Sequence, residues 1–330
     1  MLSPFLASAL VALFAATGIS GPGGELGASD PIYWIDLGLI EGIPLPGGFV
    51  LRFYSLAYLL GVLFAYWHLS RMIKQPGAPM AQRHADDLFF YCTLGVILGG
   101  RLGYAAFYTG GASDIPSAFT TFTDDGWVSW QLLRVWDGGM SFHGGLIGVL
   151  VAIGFVAWRD KLSFLRVCDN IAVNVPFGML LGRLANFNNG ELWGRQTDVA
   201  WGMVFCDAAP VAGVMCSTTN TVRHPSQLYQ AGLEGLALLL ILMALFWLTK
   251  ARYRTGLLVG VFTIGMGLAR FTNEFFREPD DQLSTFAAQT GLSMGQWLTL
   301  PLILVGLIVT LYAVTRKPVG TGAGAEPAAA

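Results

Sequence analysis

Seven stretches of this 330-residue chain are apolar for about twenty residues at a time: 49–68, 88–109, 142–158, 168–188, 227–248, 256–276 and 294–315. A helix needs roughly 20 such residues to cross roughly 30 Å of hydrocarbon. Backbone hydrogen bonding in lipid leaves helices and closed barrels as the only spanning forms. The third stretch is short and relies on its flanks. Composition agrees, because 54% hydrophobic against 12% charged residues, with a mean hydropathy of +0.57, falls outside the balance of soluble domains. The sequence predicts an all-α integral membrane protein of seven transmembrane helices with a loop or head region on its outer side. No nucleic-acid partner is expected.

Lysine and arginine fix the orientation. The connections 69–87, 159–167 and 249–255 and the tail carry Arg71, Lys74, Arg83, Arg159, Lys161, Arg166, Lys250, Arg252, Arg254, Arg316 and Lys317, eleven cations on one side. The other side has four: Arg134, Arg195, Arg223 and Arg277. Seven spans then place the C-terminus in the cytoplasm and the start of the chain outside. Three regions follow: an apolar extension with a Gly/Pro-rich linker (1–30), the seven-span domain (31–316) with outer loops 110–141 and 190–226, and a cytoplasmic tail (317–330) that reads as disordered. The first residues lack the positive start of a secretory signal and are read as a dispensable extension, against a weak signal peptide, an eighth span or an interfacial helix.

This topology gives the remaining arginines a depth. Arg52, Arg101, Arg183 and Arg270 all fall in the outer half of the membrane, with Tyr54, His143, Glu234 and Glu274 at the same level. Stray charges would scatter through both leaflets. The stretch Gly178–Arg195 is the densest case: Arg183 and Asn186, three apart, share a helix face and lead into Asn188, Asn189, Glu191 and Arg195. An arginine at the centre of a membrane helix costs roughly 2.5–3.5 kcal/mol on the insertion scale, which marks it as functional. An anionic lipid headgroup is its natural ligand. A transporter or flippase also gathers polar groups inside a membrane, but it needs them through both halves and commonly shows a duplicated half; neither is seen here.

Cys206 and Cys216 lie in the outer loop 190–226, and an oxidising compartment would let them pair, the alternative being two free thiols. No CxxC, HExxH or histidine cluster supports a metal site, and no cofactor is expected.

The strings LGGRLGYAAFY (Leu98–Tyr108), WDGGMSFHGGLIG (Trp136–Gly148), GRLANFNNGELWGR (Gly182–Arg195), RHPSQLY (Arg223–Tyr229), RFTNEFFREP (Arg270–Pro279) and SMGQ (Ser293–Gln296) occur in an order and spacing that resemble the prolipoprotein diacylglyceryl transferase family over residues 31–316. The resemblance implies transfer of diacylglycerol from phosphatidylglycerol to the lipobox cysteine thiol of a prolipoprotein signal peptide. A thioether forms and glycerol phosphate leaves, at the bacterial inner membrane. Matched position by position, it points to His143, Arg183 and Arg270 as catalytic. Tyr54, Asn186, Glu191 and Glu274 are matched as the substrate-binding set, and Arg101 joins it as a third guanidinium at the same depth. One position departs: a tyrosine common in the family is replaced by Met266, so either a nearby hydroxyl such as Thr263 substitutes as donor or that tyrosine's role is less strict than its frequent occurrence suggests.

The residues suit that chemistry on their own terms. Displacing a phosphodiester from a glycerol carbon builds charge on the departing oxygen, and guanidinium groups grip phosphate with a planar, permanently charged fork. His143 fits a general base for the incoming thiol; a packing role beside Gly144 and Gly145 fits it as well. Glu274, four residues after Arg270, either neutralises that arginine or carries a proton. Glu191 orients an arginine or caps the outer loop, and Asn186 binds a glycerol hydroxyl or joins helices. Arg195 and Arg277 lie beyond the spans, where a solvated or interfacial role is expected.

Overall fold

The computed structural model describes residues 32–40, 42–46, 50–108, 139–205, 221–277 and 291–319. The extension 1–30, most of loop 110–141, the pair Cys206 and Cys216, and the end of the tail lie outside the described residues. Helices dominate the rest: α1 (Phe53–Met72), α2 (Gln82–Tyr108), α3 (Phe142–Arg159), α4 (Phe164–Ala172), α5 (Val175–Asn188), α6 (Ser226–Leu248), α7 (Leu257–Asn273) and α8 (Met294–Thr315). Among the described residues five of them are long and apolar enough to cross a membrane, or six if α4 and α5 count as one broken span. The chain is a multi-pass helical membrane protein. The predicted span 256–276 forms the apolar helix α7, which at 17 residues is shorter than the helices counted as long enough to cross.

The predicted span 168–188 is interrupted near Asn174. Pro176 in the first turn of α5 has no N–H to give to the preceding turn. The polar run Asp169, Asn170 and Asn174 is nevertheless buried. The structure also has short strands that the helical reading did not anticipate: β1 (Ile32–Tyr33), β2 (Gly42–Pro44), β3 (Val50–Arg52), β4 (Met203–Val204) and β5 (Val222–Arg223). A parallel pairing of β1 with β4 and an antiparallel one of β4 with β5 make a three-stranded sheet, while β2 and β3 form a separate antiparallel pair.

The chain divides into two compact units, one with the residues up to Ala65 and Ala172–Lys317, the other with Tyr66–Ile171. In the first unit the strands and the 3-10 turn Trp34–Leu37 surround a small core of Trp34, Leu39, Phe187, Met203 and Phe205. This core fastens the end of α5: Trp34 Nε1 donates to Phe187 O at 2.8 Å, and Asn188 Nδ2 to Ile40 O at 2.6 Å.

The second unit is built on the pair α2 and α3. Between helices in lipid no hydrophobic force acts, so close backbone approach and dispersion have to hold the pair. A Cβ on Gly144 would lie 2.1 Å from Gly99 O, and one on Gly148 would lie 2.0 Å from Gly95 O. Only glycine lets the two backbones meet there. Ser141 caps α3 through Gly144 N, and its own N–H donates to Gly100 O at 2.8 Å. Gly148→Ala is expected to cost about 1–3 kcal/mol by overpacking and to lower the unfolding midpoint in detergent micelles. Gly182→Ala, whose added methyl meets nothing within 4 Å, should leave the midpoint in place.

Candidate active site

Arg183 projects from α5 toward α6, where residues Ala231–Ala237 form a π turn. The wider turn carries Glu234, which is fully buried, and both Nε and Nη2 of Arg183 reach its Oε2, at 3.3 and 3.2 Å. Gly235 makes the approach feasible, since a Cβ there would lie 2.7 Å from Leu180 of α5. π turns inside α-helices recur at functional sites because they re-aim one side chain without ending the helix. One edge of the guanidinium is thereby anchored. Among the described residues its remaining N–H groups meet no acceptor.

Arg270 near the end of α7 repeats the arrangement. Its Nη2 pairs with Glu274 Oε1 one turn on, at 2.9 Å, so Glu274 does neutralise it. Glu274 is buried, and Ser293 Oγ donates to its Oε2 at 3.0 Å. The SMGQ segment is thus the seat of this carboxylate: Ser293 opens α8 with a capping box shared with Gln296, and a Cβ on Gly295 would collide with the carboxylate at 2.5 Å. Arg270 lies within the electrostatic reach of Glu234 and Arg183 as well as Glu274 and Arg277. The two arginines predicted to share a depth therefore share one charged neighbourhood.

Asn186 ties the end of α5 to the turn that follows: its Nδ2 donates to Glu191 Oε1 at 2.9 Å, and Asn189 Nδ2 reaches the same oxygen at 3.3 Å. Glu191 is accordingly held by amides, not by an arginine as the sequence allowed. Tyr54 sits 3.2 Å from Tyr58, hydroxyl to hydroxyl, within the fields of Glu191 and Arg183. Arg195 is exposed and Arg277 half-buried, and the two also touch each other and the Arg270 pair: Arg195 Nε donates to Arg277 O at 2.7 Å, and Arg277 Nη1 lies 3.7 Å from Glu274 Oε1. One expectation is corrected. Thr263 does not replace the missing tyrosine as a donor, because its hydroxyl proton goes to Val259 O at 2.7 Å in its own helix.

The RHPSQLY segment packs on GELWGR. Gln227 Nε2 donates to Glu191 O, Ser226 Oγ to Leu192 O, and the Arg223 guanidinium lies 4.1 Å from the centre of the Trp193 ring. His224 Nδ1 is 3.1 Å from Tyr229 Oη, which also accepts from Trp201 Nε1 at 2.7 Å. Burial pushes the His224 imidazole below its usual pKa despite the pull of Asp198, which favours the neutral ring.

His143 and Arg101 belong to the second unit. Arg101 is buried, donates to Gly139 O at 3.2 Å and lies 5.6 Å from the Tyr104 ring centre. His143 is exposed in the first turn of α3, two residues from the Ser141 that bonds Gly100 O, so both groups sit at the same end of the α2–α3 pair. The sequence singled out Glu234 as a charge inside an apolar stretch without showing that it holds Arg183. It also gave no role to Ser293 or Gly295; their only signal was their place in the SMGQ string.

Fold and site together define a multi-pass helical membrane protein with guanidinium–carboxylate pairs set into its apolar helices. The family model for prolipoprotein diacylglyceryl transferase matches residues 43–312, and the chain belongs to that family. It is 61% identical to a phosphatidylglycerol–prolipoprotein diacylglyceryl transferase of Erythrobacter litoralis, over 89% of this chain and 96% of the relative. Proteins of the same name from Zymomonas mobilis and Pseudoalteromonas translucida are each 44% identical over 81% of this chain, covering 85% and 90% of their own lengths.

Removing one partner of a buried pair leaves an uncompensated charge, at a cost of about 3–5 kcal/mol. Glu234→Gln is therefore expected to loosen Arg183 and lower both the melting midpoint and lipid binding. Glu234→Asp, which keeps the charge on a shorter stem, should lose less of each; melting curves and phosphatidylglycerol binding on the two variants check this.

Proposed function

We propose that the chain transfers the diacylglyceryl group of phosphatidylglycerol to the cysteine thiol in the lipobox of a prolipoprotein signal peptide. The reaction takes place in the bacterial inner membrane, with the N-terminus outside, the C-terminus in the cytoplasm and α7 completing seven spans. The observation that carries this reading is the pair Arg183 and Arg270: one buried carboxylate holds Arg183 through Nε and Nη2, and another pairs with Arg270 through Nη2. Such a pair is preorganised for a phosphate that gains charge as its bond to carbon breaks. The names of the relatives supply the two substrates.

In this mechanism the phosphate of phosphatidylglycerol lies against Arg183 and Arg270. The thiol sulfur attacks the glycerol carbon of the diacylglyceryl moiety, the C–S bond forms as the C–O bond to phosphate breaks, and glycerol phosphate departs with the electron pair. The thiol proton goes to His143, since a thiol with a pKa of about 8.5 is mostly protonated near neutrality. Asn186, Tyr54 and Arg101 position the lipid, and Glu191 and Glu274 hold the polar framework around it. Cys206 and Cys216 form a disulfide in the outer loop.

The test incubates purified protein with phosphatidylglycerol and a lipobox peptide and reads peptide mass. Wild type should add one diacylglyceryl unit; no addition overturns the reading. Arg183→Lys and Arg270→Lys keep the charge but lose the fork, and each should slow transfer by about a hundredfold. In a separate measurement, His143→Gln should cut turnover by roughly 10²–10⁴-fold with phosphatidylglycerol binding nearly intact. Raising the pH should partly restore it as thiolate forms unaided. Poor lipid binding without rescue would assign His143 to positioning instead.

A further inference from the structure

Leu192 adopts φ +61°, the left-handed region, and Lys161 is the only other non-glycine residue among those described with a positive φ. A side chain there crowds the backbone, a cost that glycine avoids and asparagine largely avoids. Packing does not return that cost, since Leu192 is 48% exposed. The turn is imposed from both sides instead. Gln227 Nε2 holds Glu191 O at 2.6 Å and Ser226 Oγ holds Leu192 O at 3.0 Å, and both donor residues are almost wholly buried. Gly194 N then bonds His224 O at 2.8 Å, and the Glu191 carboxylate is fastened to Asn186 and Asn189. A rigid backbone thus presents a bare leucine, and strain of this kind gathers where a ligand is met.

We infer that Leu192 is a contact residue for the peptide substrate, in the stretch flanking its reacting cysteine; this rests on the function proposed above. Position decides between the two substrates. Arg183 lies five residues before the end of α5 at Asn188, about 8 Å of helix, and Leu192 lies beyond that end. A phospholipid held by its phosphate at Arg183 sends its acyl chains toward the bilayer centre, away from Leu192. The peptide, whose chain must pass the phosphate level to bring its thiol to the glycerol carbon, is the substrate that reaches this side.

The experiment compares Leu192→Gly, Leu192→Asn and Leu192→Met with wild type, measuring thermal midpoint and the KM for lipobox peptide and for phosphatidylglycerol separately. Glycine and asparagine relieve the backbone, so both variants should melt at or above the wild-type temperature. Their KM for peptide should rise about tenfold, as expected for loss of one leucine contact, with the KM for phosphatidylglycerol unchanged. Leu192→Met keeps an apolar contact and should keep the wild-type KM. Unchanged peptide KM in the glycine and asparagine variants would mean that the side chain only faces the bilayer. A rise in the lipid KM instead would mean that it meets an acyl chain, and a lowered midpoint with both constants altered would make it structural; each overturns the inference. Failure of wild type to modify the peptide at all would instead refute the function on which the inference rests.

Discussion

A guanidinium set into an apolar helix has to find a counter-charge inside the protein, and the pairing of Arg183 with Glu234 organises much of the first unit. Glu234 reaches Arg183 because α6 widens into a π turn and because Gly235 lets that turn press against α5. The second pair, Arg270 with Glu274, is built from different parts: an i,i+4 relation on α7, a hydroxyl from Ser293 and the space left by Gly295. In both, a buried carboxylate engages part of the fork, through Nε and Nη2 of Arg183 and through Nη2 of Arg270. Ion pairs of this kind contribute little net stability, because desolvation offsets most of the Coulomb attraction. Their value lies in geometry: the positive groups are fixed before the substrate arrives, so no reorganisation is needed as charge develops.

The end of α5 shows how the extramembrane part serves the site. Trp34 and Asn188 tie the last turn of the helix to the small strand-built core, while Glu191 folds back onto Asn186. The RHPSQLY segment then grips the following turn by three side chains, Arg223, Ser226 and Gln227. Two sequence motifs separated by some thirty residues act as one structural part. Their polar residues look like candidate substrate ligands in the sequence, yet several of them are spent on each other's backbone.

Helix packing follows a different rule in the second unit. The α2–α3 pair has no water to exclude, and its contact depends on carbonyl oxygens lying where any side chain would clash. Arg101 and His143 stand at one end of this pair, so the glycines that bring the helices together also fix the backbone positions from which those two groups project.

Sequence alone determined the membrane class and most of the helical segments, and it singled out Arg183, Glu234, Arg270 and Glu274 as charges inside apolar stretches, because hydrocarbon thickness and the cost of buried charge act on any chain in any fold. It also supplied the family, through strings such as GRLANFNNGELWGR. Only tertiary structure decided that Glu234 serves Arg183, that α4 and α5 are separate helices, that Arg195 bonds the backbone of Arg277, and that Thr263 spends its proton on Val259. Depth is a one-dimensional property that can be counted along a chain. Partnership depends on how helices face one another, and that is set by a π turn, a handful of glycines and an imposed left-handed leucine, features that hydropathy and spacing do not encode.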